Sequence, residues 1–127
     1  MLRNNKIRTV INLVSKKVPN KFEDEIKYYN YDISDTPSSQ IIQFVIEVLE
    51  IIDFELKQGR NILIHCYKGI SRAPAIGIAF LIKHKNMYFD DAFDHVKKMI
   101  IKAEPNTGFL IQLASLSPKK QISEISA

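Results

Sequence analysis

The hydrophobic positions of this chain alternate between short β-branched runs and longer stretches with helical spacing. Residues 8–14 (RTVINLV) and 61–65 (NILIH) are short, apolar and rich in Val and Ile, which is typical of buried strands. A third segment, residues 26–33 (IKYYNYDI), has aromatic and β-branched content and predicts another strand. Turn-forming residues at 34–37 (SDTP) end that segment.

A helix is predicted between the second and third of these strands in chain order. Residues 41–58 carry an apolar stripe at helical spacing. We expect Ser38 or Ser39 to cap the start of this helix and Gly59 to end it. Further apolar side chains widen the stripe and predict that the helix is covered on more than one side: Phe44, Ile46, Ile51 and Phe54.

Three more helices are predicted after the third strand. The first spans residues 74–85 and opens on a proline, whose missing N–H costs nothing in a first turn. The second is expected to be capped by Asp90 or Asp91 and to extend to about Ala103. Its apolar face would consist of Ala92, Phe93, Val96, Met99 and Ile100. The third spans residues 107–116 and turns three side chains inward: Phe109, Leu110 and Leu113.

This order of elements indicates the fold class. Strands separated by a helix of this length predict a right-handed crossover and parallel pairing. We therefore expect an α/β fold, with a central, mostly parallel sheet flanked by helices. Such sheets bind ligands beyond the carboxyl ends of their strands. In a chain of 127 residues, we expect one domain over residues 1–116 and a polar tail over residues 117–127.

Cys66, the only cysteine in the chain, directly follows the predicted strand at 61–65. A tight loop with Gly69 and Ser71 comes next, and Arg72 lies where the following helix begins. A strand, loop and helix in this order form an anion cradle, because loop N–H groups and the helix N-terminus face one point. Helix N-termini favour thiolates, and a guanidinium holds two oxygens of a tetrahedral oxyanion. The residues therefore predict a thiolate nucleophile facing a bound phosphate.

Composition and charge narrow the classes of partner. The chain is 46% hydrophobic and 25% charged, as is usual for soluble globular proteins. No apolar run approaches the roughly 18 residues of a membrane span. A net charge of +4 suits an anionic ligand but is too small to predict nucleic-acid binding. A single cysteine excludes an intrachain disulfide and fits a reducing compartment, so we expect the cytoplasm, with the nucleus as an alternative.

The motif His65-Cys66-x5-Arg72 resembles the signature loop of the cysteine-dependent protein tyrosine phosphatases. The version HCYKGISRAP is most similar to the dual-specificity branch, in its small atypical form. The resemblance covers about residues 7–116 and includes the segments RTVINLV, YNYDISD and EPNTGFLIQL. It implies a protein phosphatase that hydrolyses phosphotyrosine and phosphoserine or phosphothreonine through a cysteinyl-phosphate intermediate, without metal or organic cofactor.

The resemblance also implies roles for the residues of the loop. Cys66 would be the nucleophile and Arg72 the phosphate clamp. His65 would orient the loop through hydrogen bonds, and Ser71 would bond within the loop. Tyr67, Lys68 and Ile70 would lend their N–H groups to the phosphate, and Gly69 would supply a backbone conformation that the cradle needs. The substrate-binding positions are thus His65, Tyr67, Lys68, Gly69, Ile70 and Ser71.

A general acid must reach the site from a separate loop, because the leaving oxygen needs a proton. Asp35 lies in the turn after the strand at 26–33, where the resemblance places this acid. Asp32 is the alternative, but strand alternation puts it within the strand and Asp35 in the loop.

The sequence departs from the family pattern at two places. Ala73 follows the loop arginine, where relatives commonly have Ser or Thr, whose hydroxyl helps the thiolate leave. This predicts a slower second chemical step. Relatives usually have one more strand before the segment at 8–14, whereas only residues 1–6 precede the region of resemblance here. A sheet edge is therefore expected to be uncovered, which would permit self-association.

Three alternatives remain open at this stage. The same loop chemistry would act on a phosphoinositide, a glucan or an RNA 5′ phosphate. In the second alternative, the domain binds phosphate groups without turning them over. A rhodanese-like sulfur carrier shares a cysteine loop, but the GISR sequence at 69–72 and the later EPNTGF segment fit that class poorly.

Overall fold

The computed structural model describes residues 7–16, 18–66 and 70–118 of the chain, so residues 119–127 of the predicted tail lie outside the description. Within these ranges, three strands form one sheet: β1 (Ile7–Asn12), β2 (Lys27–Asn30) and β3 (Asn61–His65). Four helices complete the described chain: α1 (Ile42–Lys57), α2 (Arg72–Lys85), α3 (Phe89–Met99) and α4 (Thr107–Ala114).

The sheet has the order β2-β1-β3, and both strand pairs are parallel. Val10 of the central strand lies opposite Tyr28 on one side and Leu63 on the other. The central strand is buried from Thr9 onward, which explains its continuous β-branched run. Parallel strands bring their carboxyl ends to one edge, and Cys66 follows β3 at that edge. The predicted α/β class with a parallel sheet is confirmed.

The hydrophobic core joins the sheet to the helices. Its largest fully buried side chains include Ile11 of β1, Val48 of α1, Ile76 of α2 and Phe109 of α4. Helix α1 is less covered than its broad apolar stripe predicts. Ile46 and Phe54 are exposed, at 42% and 51% of their surface, so only one face of this helix packs inward.

The start of α1 corrects a sequence prediction. Neither Ser38 nor Ser39 caps the helix; its N-cap residue is Ile41, which has no side-chain cap. A distant residue supplies the missing partner, because Ile41 N–H donates to Oε1 of Gln112 at 2.7 Å. Gln112 Nε2 in turn donates to the carbonyl of Ser39 at 2.7 Å. The predicted role of Gly59 is confirmed, since it has a φ of 75° just after the helix.

Helix α3 is shorter than predicted and is not capped by a side chain. Its N-cap residue is Tyr88, while Asp90 and Asp91 lie in the first turn, where their charges suit the helix dipole. The helix ends at Met99 rather than near residue 103. Met99 and Ile100 were expected on the inward face, but they are 74% and 43% exposed because the chain leaves the helix there.

A buried carboxylate ties α1 to the amino-terminal half of the sheet. The Glu55 side chain is fully buried and accepts hydrogen bonds from Thr9 Oγ1 and from Arg60 Nη1. Lys27 Nζ lies 3.9 Å from the same carboxylate. Burial alone would raise the pKa of Glu55. The hydrogen bonds from Thr9 and Arg60 and the nearby cations lower the pKa by more than burial raises it. The net pKa lies below its ordinary value, so Glu55 is ionised in the folded protein.

Candidate active site

Cys66 lies between the end of β3 and the start of α2, with 9% of its surface exposed. Its Sγ accepts a hydrogen bond from the backbone N–H of Ala73 at 3.3 Å. Ala73 is the second residue of α2, so its N–H is one of the groups that the helix leaves unpaired. The sulfur therefore faces the positive end of the helix dipole, as the order of strand, cysteine and helix predicts.

Arg72 is the first residue of α2, two positions earlier than the predicted start, and only 9% of it is exposed. Its Nη1 donates to the carbonyl oxygen of Ile33 at 2.9 Å. Its Nε is buried and has no hydrogen-bond partner among the described residues. A buried guanidinium of this kind has donors to spare for an anion. An anion would also offset the unfavourable placement of a cation at a helix N-terminus.

The described part of the signature loop is held by the segment that precedes α4. The carbonyl of Ile70 accepts from Glu104 N–H at 2.6 Å, and the buried hydroxyl of Ser71 accepts from Asn106 N–H at 3.0 Å. Ser71 was expected to bond within the loop, but its observed hydrogen bond is with Asn106, which lies outside the loop. The other predicted substrate-binding positions of the loop lie outside the described residues: Tyr67, Lys68 and Gly69.

His65 ends β3 and is partly buried. Its carbonyl accepts from Leu13 N–H at 3.0 Å, which extends the β1–β3 ladder by one bond. Burial lowers the pKa of the imidazole, which favours a neutral ring at neutral pH. The ring has no hydrogen-bond partner among the residues that the structure describes. Its expected role in orienting the loop therefore stays a prediction.

Asp35 lies in the exposed turn after β2, on the same side of the molecule as the guanidinium of Arg72. The connection is short, since the carbonyl that Arg72 binds belongs to Ile33, two residues before Asp35. The Asp35 carboxylate is itself held, because its Oδ1 accepts from Nδ2 of Asn106 at 2.8 Å. The loop that carries Asp35 (residues 34–41, here called the acidic loop) is thus connected to Arg72 through Ile33, and the role of Asp35 as the general acid stays a prediction.

Asp32, the alternative acid, has different partners. Its Oδ1 accepts from the backbone N–H of Lys16 at 3.3 Å, and its backbone forms an isolated bridge with Val14. These contacts join the ends of β1 and β2 rather than the cysteine and the arginine.

Asn106, which precedes α4, contacts two parts of the site and was not predicted as a site residue. Asn106 caps α4, since its Oδ1 accepts from Phe109 N–H at 2.9 Å. Gly108 lies against the acidic loop so closely that a Cβ there would be 2.0 Å from the carbonyl oxygen of Pro37. Asparagine is favoured as an N-cap, so the cap itself was predictable. The contacts with Asp35 and Ser71 were not, because they join segments far apart in the chain.

Across residues 7–16, 18–66 and 70–118, no group of three or more His, Cys, Asp or Glu is placed to hold a metal ion. No helix in the described ranges is long and apolar enough to cross a lipid bilayer.

A parallel sheet with a cysteine at the carboxyl ends of its strands, and an arginine as the first residue of the next helix, define a cysteine-dependent phosphatase fold. The family model of the dual specificity phosphatase catalytic domain matches residues 1–119, so the chain belongs to this family. Dual specificity protein phosphatase 18 of Bos taurus is 40% identical over 114 residues, covering 89% of this chain and 60% of that protein. Protein-tyrosine-phosphatase MKP1 of Arabidopsis thaliana is 34% identical over 113 residues, covering 89% of this chain and 14% of the relative.

Solved structures agree with the family assignment. The human tyrosine phosphatase-like serine/threonine/tyrosine-interacting protein superposes with a TM-score of 0.84 at 29% identity, over 99% of this chain and 83% of the other. A mouse putative dual specificity phosphatase, solved with zinc tungstate, superposes with a TM-score of 0.84 at 26% identity, over 91% of this chain and 72% of the other. The chain thus spans most of these structures, but 60% or less of the two curated relatives above.

Proposed function

We propose that this domain is a protein phosphatase that hydrolyses phosphotyrosine and phosphoserine or phosphothreonine through a cysteinyl-phosphate intermediate. Family membership supports the reaction class. One observation in the chain itself carries the proposal. The Cys66 sulfur accepts the free N–H of Ala73 in the first turn of α2, next to a buried Arg72 whose Nε has no described partner. A nucleophile and an unsatisfied cation at one helix N-terminus suit a phosphate monoester.

In the first step, the Cys66 thiolate attacks phosphorus in line with the leaving oxygen. The S–P bond forms as the P–O bond breaks, and Asp35 gives its proton to the departing oxygen. Arg72 and the backbone N–H groups of the loop hold the equatorial oxygens, on which charge builds up. Asp35 is favoured over Asp32 because its loop is bound to Arg72 through Ile33.

In the second step, water attacks the phosphorus of the cysteinyl-phosphate. Asp35, now a carboxylate, takes a proton from the water, and the S–P bond breaks to restore the thiolate and release inorganic phosphate. Ala73 presents its N–H to the sulfur but has no hydroxyl to assist the departing thiolate. We therefore expect this step to be slow. The scheme uses no metal ion and no organic cofactor.

Hydrolysis of phenyl phosphate, an aryl phosphate with a poor leaving group, by matched variants tests these roles. We expect Cys66→Ser to abolish turnover and Asp35→Asn to lower kcat by about 10²- to 10⁴-fold, the range for general acid catalysis. Asp32→Asn is the matched control and should stay within about twofold of wild type, because its carboxylate binds the backbone of Lys16. Full activity in Cys66→Ser would overturn the proposed reaction, and equal losses in the two aspartate variants would overturn the choice of Asp35.

The substrate class requires a separate experiment. Phosphotyrosine and phosphoserine peptides are the proposed substrates, and a phosphoinositide, a phosphorylated glucan and an RNA 5′ phosphate are the alternatives. Higher kcat/KM for one of these alternatives than for either peptide would overturn the assignment as a protein phosphatase. A phosphate-binding module without turnover is the second candidate, since one structural relative is called a phosphatase-like interacting protein. Such a module would bind phosphopeptides yet fail to hydrolyse any of the five substrates.

We also propose that the protein resides in a reducing compartment, the cytoplasm or the nucleus, because it has a single cysteine.

We propose further that two copies associate through the β3 edge. Among the described residues, β3 has a strand neighbour on one side only. An apolar groove of about 540 Å³ adjoins this strand and reaches Leu56, which is 47% exposed. Open edges pair readily with a second strand. Leu56→Lys should weaken association in sedimentation runs, whereas Ile111→Lys should not; a monomer at all concentrations would contradict the proposal.

A further inference from the structure

We propose that Asn106 is a positioning residue that holds the general acid in register with the phosphate cradle. The inference rests on the proposed role of Asp35 and adds a residue that the reaction scheme does not contain. Asn106 lies between the two parts of the site, immediately before α4. Its own groups touch neither the sulfur nor the guanidinium, so its side chain would act through Asp35, while its backbone bond to Ser71 fixes its own position.

The hydrogen bonds of Asn106 extend in three directions. Its backbone N–H donates to Ser71 Oγ at 3.0 Å, next to Arg72 in the cradle. Its Nδ2 donates to Asp35 Oδ1 at 2.8 Å, and its Oδ1 accepts from Phe109 N–H at 2.9 Å. One residue therefore connects the phosphate loop, the acidic loop and the first turn of α4.

The helix cap fixes which way the amide points. Because Oδ1 must accept the N–H of Phe109, the NH₂ group has to face away from the helix, toward Asp35. The orientation of this donor is thus determined by the fold and not by substrate. A preset donor of this kind limits the rotation of an aspartate that is otherwise exposed on a turn.

The donor also decides which oxygen of Asp35 carries the catalytic proton. Oδ1 accepts from Asn106, so a proton on the carboxyl group would reside on Oδ2. Oδ2 is then the oxygen that gives its proton to the leaving group and later accepts one from water. Loss of the Asn106 donor would leave both oxygens equivalent and the side chain free to turn away.

The rest of the acidic loop is anchored on the same helix, which makes Asn106 the anchor nearest the acid. Gln112 binds both Ser39 and Ile41, and Gly108 lies beneath Pro37. The loop is thus held along its length by the N-cap residue of α4 and by two residues within this helix. Only the contact made by Asn106 is with the carboxylate itself.

Two variants separate positioning from capping. Asn106→Ser keeps a side chain that caps helices well but loses the donor to Asp35. Asn106→Ala loses both the cap and the donor. We expect both variants to lower kcat for phenyl phosphate, a poor leaving group, by about 10- to 100-fold, as a misplaced catalytic group does. For an aryl phosphate with a weakly basic leaving group, such as 4-nitrophenyl phosphate, the loss should be within about threefold, since that oxygen needs less protonation.

A merely structural role predicts a different result. If Asn106 only supported the fold, Asn106→Ser would keep wild-type activity, or it would lose activity equally on both substrates. Either outcome would overturn the inference. A thermal melt checks that Asn106→Ser is folded, and Asn106→Asp, which keeps the cap and the side-chain shape, replaces it if it is not. The same preference for loss on phenyl phosphate is expected of Asn106→Asp.

The double variant Asp35→Asn/Asn106→Ser distinguishes failure of the inference from failure of the reaction scheme. If Asn106 acts through Asp35, the double variant should be no slower than Asp35→Asn alone. Multiplied losses would overturn the inference and leave the role of Asp35 intact. Wild-type activity of Asp35→Asn on phenyl phosphate would instead overturn the proposed role of Asp35.

Discussion

Gly108→Ala offers a test of how tightly the acidic loop is seated on α4. A Cβ at this position would be 2.0 Å from the carbonyl oxygen of Pro37 and 2.6 Å from its Cα. Contacts of a real Cβ essentially never fall below 3.0 Å, so the backbone of Pro37 must retreat by about 1 Å. Asp35 is only two residues earlier, and we expect it to move with the loop.

The substitution should affect activity far more than stability. A displacement of about 1 Å in a catalytic group costs on the order of 100-fold in rate. Alanine is better than glycine in a helix by up to about 1 kcal/mol, while crowding costs about 1–3 kcal/mol, so the net loss of stability is about 0–2 kcal/mol. The protein should therefore stay folded while kcat for phenyl phosphate falls about 100-fold.

Gly77→Ala in α2 is the matched control. Its Cβ would lie 3.6 Å from Cγ2 of Val96, an ordinary van der Waals contact. We expect wild-type activity and a gain of up to about 1 kcal/mol in the free energy of unfolding. Steady-state rates on phenyl phosphate and urea unfolding would be measured for both variants. Wild-type turnover by Gly108→Ala would show that the loop can yield without moving Asp35, and the reasoning would be refuted.

Three further outcomes are expected. Ala73→Ser should raise turnover and reduce the pre-steady-state burst, because a hydroxyl would assist the departing thiolate; an unchanged rate and burst would count against this. Glu55→Ala should lower the free energy of unfolding by about 3 kcal/mol in urea, since Thr9 and Arg60 lose a buried partner; a loss below about 1 kcal/mol would contradict it. Burial lowers the pKa of His65 in the folded protein, so the unfolded chain takes up a proton at a higher pH than the folded protein does. The free energy of unfolding should therefore decline as the pH falls below about 6.5, the ordinary pKa of histidine. His65→Gln should flatten this decline in urea melts at pH 5–8, and an unaltered slope would rule out His65 as its source.

The local pattern located the three strands and predicted their parallel pairing, but it did not give the ends of every strand or of the helices. Strand β2 spans only Lys27–Asn30 of the predicted residues 26–33. Strand β3 was predicted at its observed bounds, because a short apolar run between polar residues is a local signal. The start of α1 could not be predicted in the same way. Its first free N–H is satisfied by Gln112, and a partner so distant in sequence leaves no mark near Ser38 or Ser39. At α3 the apolar spacing continued to the last residue of the helix and beyond it, so Met99 and Ile100 were assigned to the apolar face although both are exposed.

The same division applies to the candidate site. Cys66 and Arg72 could be placed together because a strand, a loop and a helix of consecutive residues bring them together. The contact between Arg72 and the carbonyl of Ile33 depends on how two distant segments pack, which no periodicity encodes. Asn106 was visible only as a helix cap, and its bond to Asp35 required the fold.

The strand order has a consequence for how the chain folds. Strand β1 precedes both of its neighbours in the chain, yet it occupies the centre of the sheet. One side of β1 pairs with β2, which follows soon afterwards in the chain. The other side pairs with β3, where Val10 lies opposite Leu63, so it stays unpaired until that later strand is synthesised. Non-local parallel pairing of this kind is slow. Until it occurs, a nascent chain presents an apolar, unpaired strand to other chains, and the greatest risk of aggregation during synthesis lies at β1.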